Sequence, residues 1–534
     1  MSTNGPFQVL VADDIASEGL APLRVDGRFQ LITKPGLKGE ELARAIEEAD
    51  AVLVRSATKI TRDSLAHAQR LKVIGRAGVG VDTIDVEAAT ERGIAVLTAP
   101  SGNTISAAEL TLALLLALVR RIPAADRSMK DGAWDRKSFS GTELYGKLLG
   151  LIGAGRIGGE VARRTRAFGM HVICFDPYLT SERAKALDVE LVSLDDLLRR
   201  ADVVSLHVPL TESTAGLVGA REIALMKPGA FLVNASRGGV VDEAALVRAL
   251  SEGKLGGAAL DVYEQEPLPK DHPLRSLPNV VLTPHLGAST AEAQQNVAIE
   301  IAEAVRAALV DGDLSRAVNA PAVGGEEMRR LRPILSLAER LGKLAACLID
   351  GAVERVEMRY GGAAENALQP LAAHTMMGVL ATAVGPSNVN FVNAMYLAEA
   401  RDIEVQRVRL ASHGSFAEYL EVRLSSRSSE TLVGGALLAQ EHPRVVRIGD
   451  YHVDVVPRGT LVVLRNRDVP GVIGRVGTLL GGAGINIAEY HQARLEAGGA
   501  ALAAISVDGR LRPEVLTQLR ELPEVLEVRQ VELG

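Results

Sequence analysis

The stretch that decides the fold spans residues 147–176 and reads KLLGLIGAGRIGGEVARRTRAFGMHVICFD. It opens with an apolar run over 148–152, which has the length and composition of a strand buried on both faces. A glycine-rich turn follows, then a helical pattern over 157–168 and a second apolar strand over 171–175. The last residue is an aspartate. The order of strand, turn, helix and strand predicts one βαβ unit of a parallel sheet.

Each of the three glycines in the turn has a physical function. Gly153 permits the tight strand-to-helix turn, Gly155 lets a pyrophosphate approach the backbone, and Gly158 lets the helix pack close to the strand. The start of the helix offers unpaired N–H groups and the positive end of its dipole to phosphates. Asp176 lies at the distance expected for the acid that accepts a ribose hydroxyl, where its charge repels a 2′-phosphate. The motif therefore predicts an NAD site. Three purely structural glycines are the simpler alternative, but the flanking strands and the acid favour the NAD site.

Length and charge restrict the classes of protein to which the chain can belong. With 534 residues it is too long for a single core, and several domains are expected. A hydrophobic fraction of 47% indicates globular cores rather than disorder. The net charge is −7 with acidic and basic residues well mixed, so there is no basic block of the kind that binds nucleic acid or an anionic membrane.

Cysteine usage and the apolar runs predict where the protein works. The two cysteines, Cys174 and Cys347, lie in apolar surroundings, which is typical of buried thiols in a reducing compartment. Residues 1–7 are polar and carry no apolar signal core. The longest apolar run, 112–119, is too short to span a bilayer and indicates a buried helix. We expect a cytoplasmic protein without a membrane segment, and the scattered histidines of the C-terminal third predict no metal site.

Strands and helices alternate on both sides of the 147–176 stretch, which predicts two doubly wound parallel sheets. The first sheet is expected from strands at 8–12, 51–54, 71–74 and 94–97, and the second gains strands at 203–207, 230–234, 258–262 and 280–282. A long helix over 105–120 leads into the second sheet, and an amphipathic helix over 290–309 returns to the first. We place the domains at 1–100 with 290–317, at 101–289, at 318–457 and at 458–534.

Two strands of the first sheet are followed by residues suited to an anionic ligand. Arg55 and Ser56 follow one strand, and the segment RAGVG from Arg76 to Gly80 follows another. In open α/β sheets, ligands bind outside the carboxyl ends of the strands. Gly78 and Gly80 let consecutive backbone N–H groups face an anion. A simple glycine turn explains these glycines equally well, and the sequence leaves both interpretations open.

Three ionisable residues follow successive strands of the second sheet: Arg237, Glu266 and His285. Hydride transfer from a hydroxyl-bearing carbon needs a group that removes the hydroxyl proton, and a histidine titrates in the required range. A neighbouring carboxylate orients the ring and raises its pKa, and an arginine binds a substrate carboxylate and polarises the carbonyl oxygen. Each residue alone has a structural explanation, but the three together predict oxidation of a 2-hydroxy acid. Glu264 is a competing candidate for the acid.

Several segments carry a family resemblance. GAGRIG, NASRGGVVDE, AALDVYEQEP and PHLGAST are similar to segments of the D-isomer-specific 2-hydroxyacid dehydrogenases. Within that family, RAGVGVD, SAAEL and MKDGAWDRK resemble the long-form phosphoglycerate dehydrogenases. The resemblance implies that Arg237, Glu266 and His285 are the catalytic residues, with the acid directly before Pro267. It also implies a Rossmann domain for NAD and a flavodoxin-like domain for the substrate.

The resemblance further implies which residues bind the ligands. NAD contacts are implied at Gly153, Gly155, Arg156, Ile157, Gly158, Asp176, Val208, Pro209, Ala235, Ser236, Arg237, Asp261, His285, Leu286, Gly287 and Ala288. Substrate contacts are implied at Arg55, Ser56, Arg76, Val79 and Gly80, with Arg136 and Lys137 as candidates for binding a phosphate. These cations exceed what one carboxylate requires, so a phosphate dianion is expected. The implied reaction is the oxidation of 3-phosphoglycerate by NAD to 3-phosphooxypyruvate, the first step of serine synthesis.

The C-terminal third divides at 318–321, where a proline and small residues interrupt the helical pattern. Helical runs and strands then mix, and the resemblance implies an α+β intervening domain whose ligand stays open. From Thr460 the order βαββαβ predicts a ferredoxin-like domain, which resembles the ACT regulatory domains that bind serine between paired copies. Asp468 and Asn486 match the ligand positions, whereas Asn466 replaces the His or Tyr of relatives. An ACT domain that only dimerises is the alternative.

Three functions fit these patterns. The first is a phosphoglycerate dehydrogenase with serine feedback, which forms a dimer or tetramer through its nucleotide and ACT domains. The second is a dehydrogenase for another 2-hydroxy acid, such as glyoxylate or 2-hydroxyglutarate. The third is a corepressor of the same family that uses NAD as a conformational ligand. The ordered C-terminal pattern argues against the corepressor, since such relatives usually end in a disordered tail.

Overall fold

The structure is a computed structural model that describes residues 5–411 and 416–534. Within those ranges the strands form four sheets, of five, seven, six and four strands. The first two sheets are parallel, the third is mixed and the fourth is antiparallel. None of the described helices is both long and apolar enough to cross a membrane.

The first sheet has the strand order β2-β1-β3-β4-β5. Its elements are β1 (Phe7–Val11), a 3₁₀ turn (Ser17–Leu20), α1 (Ala21–Arg24), β2 (Phe29–Thr33), α2 (Gly39–Glu47), β3 (Ala51–Val54), β4 (Val73–Arg76), α3 (Val86–Glu91) and β5 (Ala95–Thr98). The strands expected from the sequence are all present, with bounds shifted by at most two residues. The sequence pattern does not predict the edge strand β2, because its partly exposed residues FQLIT alternate too weakly.

The second sheet has the order β12-β11-β10-β9-β6-β7-β8. Its elements are α4 (Thr104–Val119), α5 (Ile122–Lys130), β6 (Leu148–Ile152), α6 (Arg156–Ala167), β7 (His171–Phe175), α7 (Ser181–Leu187), β8 (Glu190–Leu191), α8 (Leu194–Arg200), β9 (Val203–Leu206), α9 (Ala220–Leu225), β10 (Phe231–Asn234), α10 (Glu243–Ser251), β11 (Gly257–Leu260), a 3₁₀ turn (Pro273–Ser276) and β12 (Val280–Leu282). The winding reverses between β6 and β9, which are neighbours in the sheet. A parallel sheet opens a ligand crevice at such a switch point, outside the carboxyl ends of its strands.

Helix α11 (Ala291–Asp311) returns from the second sheet to the first, as the sequence predicts. Val297, Ile301 and Val305 lie on its buried face and share one apolar core with Leu53 of β3. The chain therefore crosses between the sheets twice, once into α4 and once into α11. The first domain is completed by residues that follow the second domain in sequence.

The region after α11 contains α12 (Gly325–Leu348), β13 (Arg355–Gly361), α13 (Leu368–Val384), α14 (Ala394–Glu399), β14 (Glu404–Arg409), β15 (Tyr419–Ser425), β16 (Glu430–Leu438), β17 (His442–Ile448) and β18 (Tyr451–Val455). Helices α12 and α13 pack together, and their apolar residues share one core with a sheet of order β14-β13-β15-β16-β17-β18. The side chains of Asn390 and Asn393 donate hydrogen bonds to the backbone oxygens of Gly93 (2.9 Å) and Glu91 (3.3 Å). These bonds connect this region to the first domain.

The last region has the predicted order of elements, with β19 (Thr460–Arg467), α15 (Val472–Gly482), β20 (Ile487–Arg494), β21 (Ala500–Val507), α16 (Pro513–Arg520) and β22 (Val525–Glu532). Its strands are arranged β20-β21-β19-β22. One face of this sheet is covered, because Leu461, Val463 and Leu502 belong to the same apolar core as α12. Cys347 of α12 is only partly buried, and its thiol donates to the backbone oxygen of Gln530 at this contact.

Candidate active site

The glycine turn after β6 has the geometry that a bound pyrophosphate requires. Gly153 has a φ of +92°, a conformation that other residues rarely adopt. No heavy atom lies within 4 Å of the position that a Cβ of Gly155 would occupy, so the backbone is open there. A Cβ on Gly158 would collide with the carbonyl oxygen of Gly153, because α6 packs tightly on the turn. The three glycines therefore occupy the three environments that their spacing predicts.

Asp176 follows β7 and holds this turn in place. Its carboxylate accepts hydrogen bonds from the backbone N–H groups of Ala154 (3.0 Å) and Tyr178 (2.9 Å). Val208 lies on the opposite side of the turn, with its Cγ1 2.8 Å from the position for a Cβ of Gly153. An acid at the end of the second strand, beside an open glycine turn, is the arrangement that binds the adenosine ribose of NAD.

The other residues expected to contact NAD lie at the carboxyl edge of the second sheet. They are Arg156 and Ile157 at the start of α6, Val208 and Pro209 after β9, Ala235 and Ser236 after β10, and Leu286, Gly287 and Ala288 after β12. Asn234 shapes this edge, because its side-chain oxygen accepts hydrogen bonds from the backbone N–H (3.0 Å) and the hydroxyl (2.8 Å) of Ser236.

His285 and Glu266 are hydrogen-bonded, with 2.7 Å between Nδ1 of the imidazole and Oε2 of the carboxylate. This hydrogen bond is the main cause that raises the pKa of His285, and it outweighs the opposing effect of burial. Burial alone would raise the pKa of Glu266, but the hydrogen bond and charge of His285 lower it. About half of the His285 side chain is exposed (50%), so the ring is open to the cleft on its other side. The pair is therefore able to take up and hold one proton.

The loop that carries His285 is shaped by Asp261, a fully buried residue directly after β11. Its carboxylate accepts hydrogen bonds from the hydroxyl of Thr283 (2.6 Å) and from the backbone N–H groups of Leu286 (2.7 Å) and Gly287 (2.9 Å). Within this loop His285 adopts a left-handed backbone with a φ of +54°. The Asp261 carboxylate is buried and positions the histidine loop, and its predicted contact with NAD stays a prediction.

The geometry distinguishes the two candidate acids. The carboxylate of Glu264 lies against α10, where it accepts a hydrogen bond from the backbone N–H of Glu243 (3.1 Å). Glu266 is the acid that reaches His285. The other carboxylate oxygen of Glu266 accepts a hydrogen bond from the backbone N–H of Tyr263 (3.2 Å), which holds the group toward the ring.

Arg237 connects the two sheets. Its guanidinium lies against Gly80, where a Cβ would collide with Nη2, and its Nε is 3.5 Å from the carboxylate of Asp82. Gly80 and Asp82 belong to the loop after β4 of the first sheet. Nη1 of Arg237 donates a hydrogen bond to the backbone oxygen of Ser236 (2.7 Å). The strand-end loops of both sheets therefore meet at one cleft.

Arg76, at the end of β4, forms no ion pair with a described carboxylate, although the charges of Asp82 and Asp13 favour its protonated form. Its Nε is buried and has no hydrogen-bond partner among the described residues. Burial, together with the positive charges of Arg237 and Arg55, lowers the pKa of Arg76 to about 10. Three guanidinium groups thus converge at the loop that contains Gly78 and Gly80. An anionic ligand beside these groups would relieve their repulsion.

Arg55 lies on a loop after β3 that a buried acid holds. Asp13 accepts hydrogen bonds from the backbone N–H groups of Arg55 (2.6 Å) and Thr58 (3.2 Å) and from the hydroxyl of Thr58 (2.5 Å). Ser56 and Val79, which the sequence also predicts to contact the substrate, are exposed on this loop and on the loop after β4. The predicted substrate residues of the first sheet therefore lie on adjacent strand-end loops.

Sequence reasoning misses three acids that position this site: Asp13, Asp82 and Glu243. Asp13 follows β1 as Asp176 follows β7, so a search for acids just past a strand would find it. Asp82 lies in a loop and Glu243 begins a helix, where acids are common, but each is the last residue of a segment that carries the family resemblance, RAGVGVD and NASRGGVVDE. Across residues 5–411 and 416–534, no three His, Cys, Asp or Glu side chains are grouped to hold a metal ion.

Arg136 and Lys137 do not reach the site in one copy of the chain. They lie between α5 and β6, in a segment anchored where Arg121 donates a hydrogen bond to the backbone oxygen of Ser138 (2.6 Å). Residues 140–142 of this segment line a cavity together with the amino-terminal ends of β10 and β12. The ligand loops lie at the opposite, carboxyl ends of the same strands. The geometry of one chain therefore does not place Arg136 and Lys137 among the ligand loops, and their phosphate contact stays a prediction.

The two expected effector residues lie at opposite ends of the C-terminal sheet. Both β19 and β20 pair antiparallel with β21, so they run parallel to each other. Asp468 follows β19 and pairs with Arg494 at the end of β20 (2.9 Å), whereas Asn486 precedes β20 and bonds to Asp508 (2.8 Å). The 8 residues of β20 separate them by about 25 Å. Asn466 is fully buried, and its Oδ1 has no partner among the described residues.

Comparisons with known proteins identify the family. Three family models match: the D-isomer specific 2-hydroxyacid dehydrogenase NAD binding domain at 112–287, the D-3-phosphoglycerate dehydrogenase intervening domain at 330–449, and the ACT domain at 460–524. The D-3-phosphoglycerate dehydrogenase of Methanocaldococcus jannaschii is 42% identical over 527 residues, covering 98% of this chain and 100% of the relative. The chain belongs to the D-3-phosphoglycerate dehydrogenase family. The D-3-phosphoglycerate dehydrogenase of Mycobacterium tuberculosis is 41% identical over 530 residues, covering 98% and 99%.

Solved structures resemble the first two domains. The TT0316 protein of Thermus thermophilus is 40% identical with a TM-score of 0.54, covering 58% of this chain and 99% of that one. A D-lactate dehydrogenase of Aquifex aeolicus, solved with NAD and lactic acid, is 32% identical with a TM-score of 0.52, covering 58% and 98%. The chain is therefore an NAD-dependent D-2-hydroxyacid dehydrogenase with an intervening domain and an ACT domain.

Replacing Gly155 by valine should remove NAD binding without loss of stability. The new side chain enters open space in the protein but occupies the region where the pyrophosphate approaches the backbone. We expect NADH affinity, measured by fluorescence titration, to fall at least about tenfold while the unfolding midpoint stays unchanged. The matched variant Gly158→Val should lower the midpoint, because its side chain meets the carbonyl oxygen of Gly153. Unchanged NADH affinity in Gly155→Val would contradict the assignment of the turn.

Proposed function

We propose that the dehydrogenase oxidises 3-phospho-D-glycerate to 3-phosphooxypyruvate with NAD, a cytoplasmic reaction that begins serine synthesis. The observation that carries the proposal is the convergence of the His285–Glu266 pair with three guanidinium groups at one cleft. The pair suits removal of a hydroxyl proton, and the guanidinium groups suit a substrate with two anionic groups.

His285 acts as the base in this proposal. Because Nδ1 lies 2.7 Å from Glu266, the proton of the neutral ring is assigned to Nδ1, which leaves the lone pair on Nε2. Nε2 accepts the hydroxyl proton as the C2–H bond breaks, and the carboxylate stabilises the imidazolium that forms. Bound NAD supplies the acceptor for the hydride. In the reverse direction the imidazolium returns the proton to the carbonyl oxygen.

Arg237 is proposed to bind the substrate carboxylate and the reacting oxygen. Its contacts with Ser236 and Asp82 hold the guanidinium between the loops of the two sheets. A fixed cation beside an oxygen that gains negative charge stabilises the transition state more than the ground state. Asp176 supports NAD over NADP, since its carboxylate would repel a 2′-phosphate.

The phosphate of the substrate is proposed to bind Arg76 and Arg55. The pKa of Arg76 is lowered by burial and by its neighbouring cations, so an anion beside this guanidinium gains charge neutralisation. Arg136 and Lys137 would join this site only from a second copy of the chain.

We further propose that the protein is a homo-oligomer. Helix α5 and the segment after it, which carries Arg136 and Lys137, also expose large apolar side chains, at Ile122, Met129 and Trp134. The Trp134 residue is 79% exposed. A cluster of this kind marks an interface between protein chains. A dimer that covers it would also bring the two cations toward the cleft of the partner.

Removal of Arg55 should separate phosphorylated from unphosphorylated substrates. In Arg55→Ala we expect KM for 3-phosphoglycerate to rise about 10- to 100-fold, because a charge-assisted hydrogen bond to the phosphate is lost. The KM for D-glycerate should change little. Lys59→Ala, a nearby exposed cation, is the matched control. An equal rise for both substrates would contradict the phosphate site. Faster turnover of 2-hydroxyglutarate or glyoxylate by the unaltered enzyme would favour the alternative substrates.

The raised pKa of His285 sets the pH dependence of the proposed oxidation. The reaction needs the neutral ring, so kcat/KM rises with pH through the pKa of His285. The midpoint of this rising limb of the pH profile should lie above 6.5, the ordinary pKa of a histidine. Glu266→Gln removes the charge that raises this pKa, so the limb should move to lower pH while kcat falls. Steady-state rates measured between pH 5 and 10 test this, and an unmoved limb would show that the pair does not control the proton.

The ACT domain is proposed to bind serine and to mediate feedback. Asp468 and Asn486 lie at opposite ends of the sheet in one chain, so one binding site needs Asp468 from one copy and Asn486 from another. In a two-fold dimer this arrangement yields two equivalent sites. Asn466 offers a buried, unpaired oxygen beside Asp468, which differs from the His or Tyr of relatives.

Mixed oligomers test this arrangement. Asp468→Ala and Asn486→Ala should each abolish serine binding in calorimetric titration. Co-expression of the two variants should restore about one quarter of the sites, because half of the dimers are mixed and each mixed dimer keeps one intact pair. Binding by either variant alone, or no recovery on mixing, would contradict a shared site. Serine binding without inhibition would leave the domain as a binding module only.

A further inference from the structure

We propose that Glu243 is a positioning residue for catalysis, because it anchors both ends of the 264–272 loop that carries Glu266. The inference rests on the proposed role of the His285–Glu266 pair as the proton acceptor. Glu243 is the first residue of α10 and the last residue of the segment NASRGGVVDE, but it is not among the residues that the sequence assigned to ligand binding or catalysis.

The carboxylate of Glu243 uses its two oxygens on opposite ends of this loop. Oε1 accepts a hydrogen bond from the backbone N–H of Glu264 (2.6 Å), at the start of the loop. Oε2 lies 3.2 Å from Nε2 of His272, at the end of the loop. Because Nδ1 of His272 accepts the backbone N–H of Leu274 (3.4 Å), the proton of the neutral ring is assigned to Nε2, the ring nitrogen that faces the Glu243 carboxylate.

The anchor is reciprocal, which fixes the loop against α10. While Glu243 accepts from the backbone of Glu264, the carboxylate of Glu264 accepts from the backbone N–H of Glu243 (3.1 Å). The same region is tightly packed, since a Cβ on Gly238 would collide with the carbonyl oxygen of Tyr263. Gly238 directly follows Arg237 in sequence. The segment after Arg237 therefore packs directly against the segment that leads to Glu266.

Burial makes this arrangement sensitive to change. Glu243 is 8% exposed, and it faces the carboxylates of Glu264 and Glu266 as well as the imidazole of His272. A buried carboxylate near two like charges is costly unless its oxygens are satisfied by donors. The groups that offset this cost lie at the two ends of the loop: the backbone N–H of Glu264, which donates a hydrogen bond, and the imidazole of His272, which contacts the other oxygen. If either end of the loop moved away, one oxygen of the buried Glu243 carboxylate would lose its partner. This cost favours the conformation in which both ends of the loop contact Glu243.

A purely structural role at the start of α10 does not explain these contacts. The helix is already capped by Asp242, whose Oδ1 accepts the backbone N–H of Ala245 (2.8 Å). Glu243 makes no hydrogen bond to its own helix through its side chain in the described structure. Its carboxylate serves the 264–272 loop, and through that loop the placement of Glu266 at His285.

The test measures the pH dependence of oxidation in Glu243→Ala and Glu243→Gln. In Glu243→Ala we expect kcat to fall about 10- to 100-fold, because a displaced carboxylate no longer orients the base. The rising limb of the pH profile should move to lower pH by about one pH unit, since His285 then faces Asp261 and Arg237 without a fixed Glu266. Glu243→Gln keeps an oxygen for Glu264 but removes the negative charge that faces His272, so its limb should move less, in the same direction.

Two reference variants make the result decisive. Ser193→Ala removes the hydroxyl that accepts the backbone N–H of Asp196 at the start of α8 (3.2 Å), so it should lower the unfolding midpoint without moving the limb. If Glu266→Gln moves the limb but Glu243→Ala does not, the inference is wrong and the proposed function stands. If neither moves it, the proposed function fails and the inference with it. Should Glu243→Ala fail to fold, the limb of Glu243→Gln decides by the same criterion.

Discussion

The site depends on carboxylates that lie behind the strand-end loops and accept hydrogen bonds from their backbone N–H groups. Asp13 holds the loop after β3, Asp176 the turn after β6, and Asp261 the loop after β12. Backbone groups in such loops have left the sheet and need other partners. One carboxylate that satisfies several of them fixes the loop in a single conformation. The side chains that face the ligands are thus positioned by acids that lie behind the loops and bond to the loop backbone.

Because these acids fix the strand-end loops, loops from two separate sheets form one site. Arg237 reaches from the second sheet to the loop after β4, where Arg76 and Arg55 also bring positive charge. These guanidinium groups repel one another, and rigid loops are needed to hold the three side chains together before a ligand binds. The cost is a low pKa at Arg76, about 10, and an unpartnered nitrogen. A substrate with two anionic groups matches this excess of charge.

Local sequence patterns predict what local physics decides. The buried run 148–152, the glycine spacing, the returning helix α11 and the order of the C-terminal elements are all visible in the chain because each follows from periodicity or turn chemistry. Long-range placement is not visible: sequence alone does not show that Arg136 and Lys137 lie at the far end of the sheet. Nor does it reveal Asp13 or Glu243, whose roles depend on loops distant in sequence. The domain boundaries stay a prediction.

The central claim is that the cleft between the two sheets removes a hydride from C2 of a phosphorylated 2-hydroxy acid while His285 takes the hydroxyl proton. The most direct test uses 3-phospho-D-glycerate carrying deuterium at C2, with NAD as the acceptor, and follows the label by mass spectrometry and proton NMR. We expect one deuterium at C4 of the nicotinamide in each NADH formed. Label released to water, or no NADH from this substrate, would contradict it.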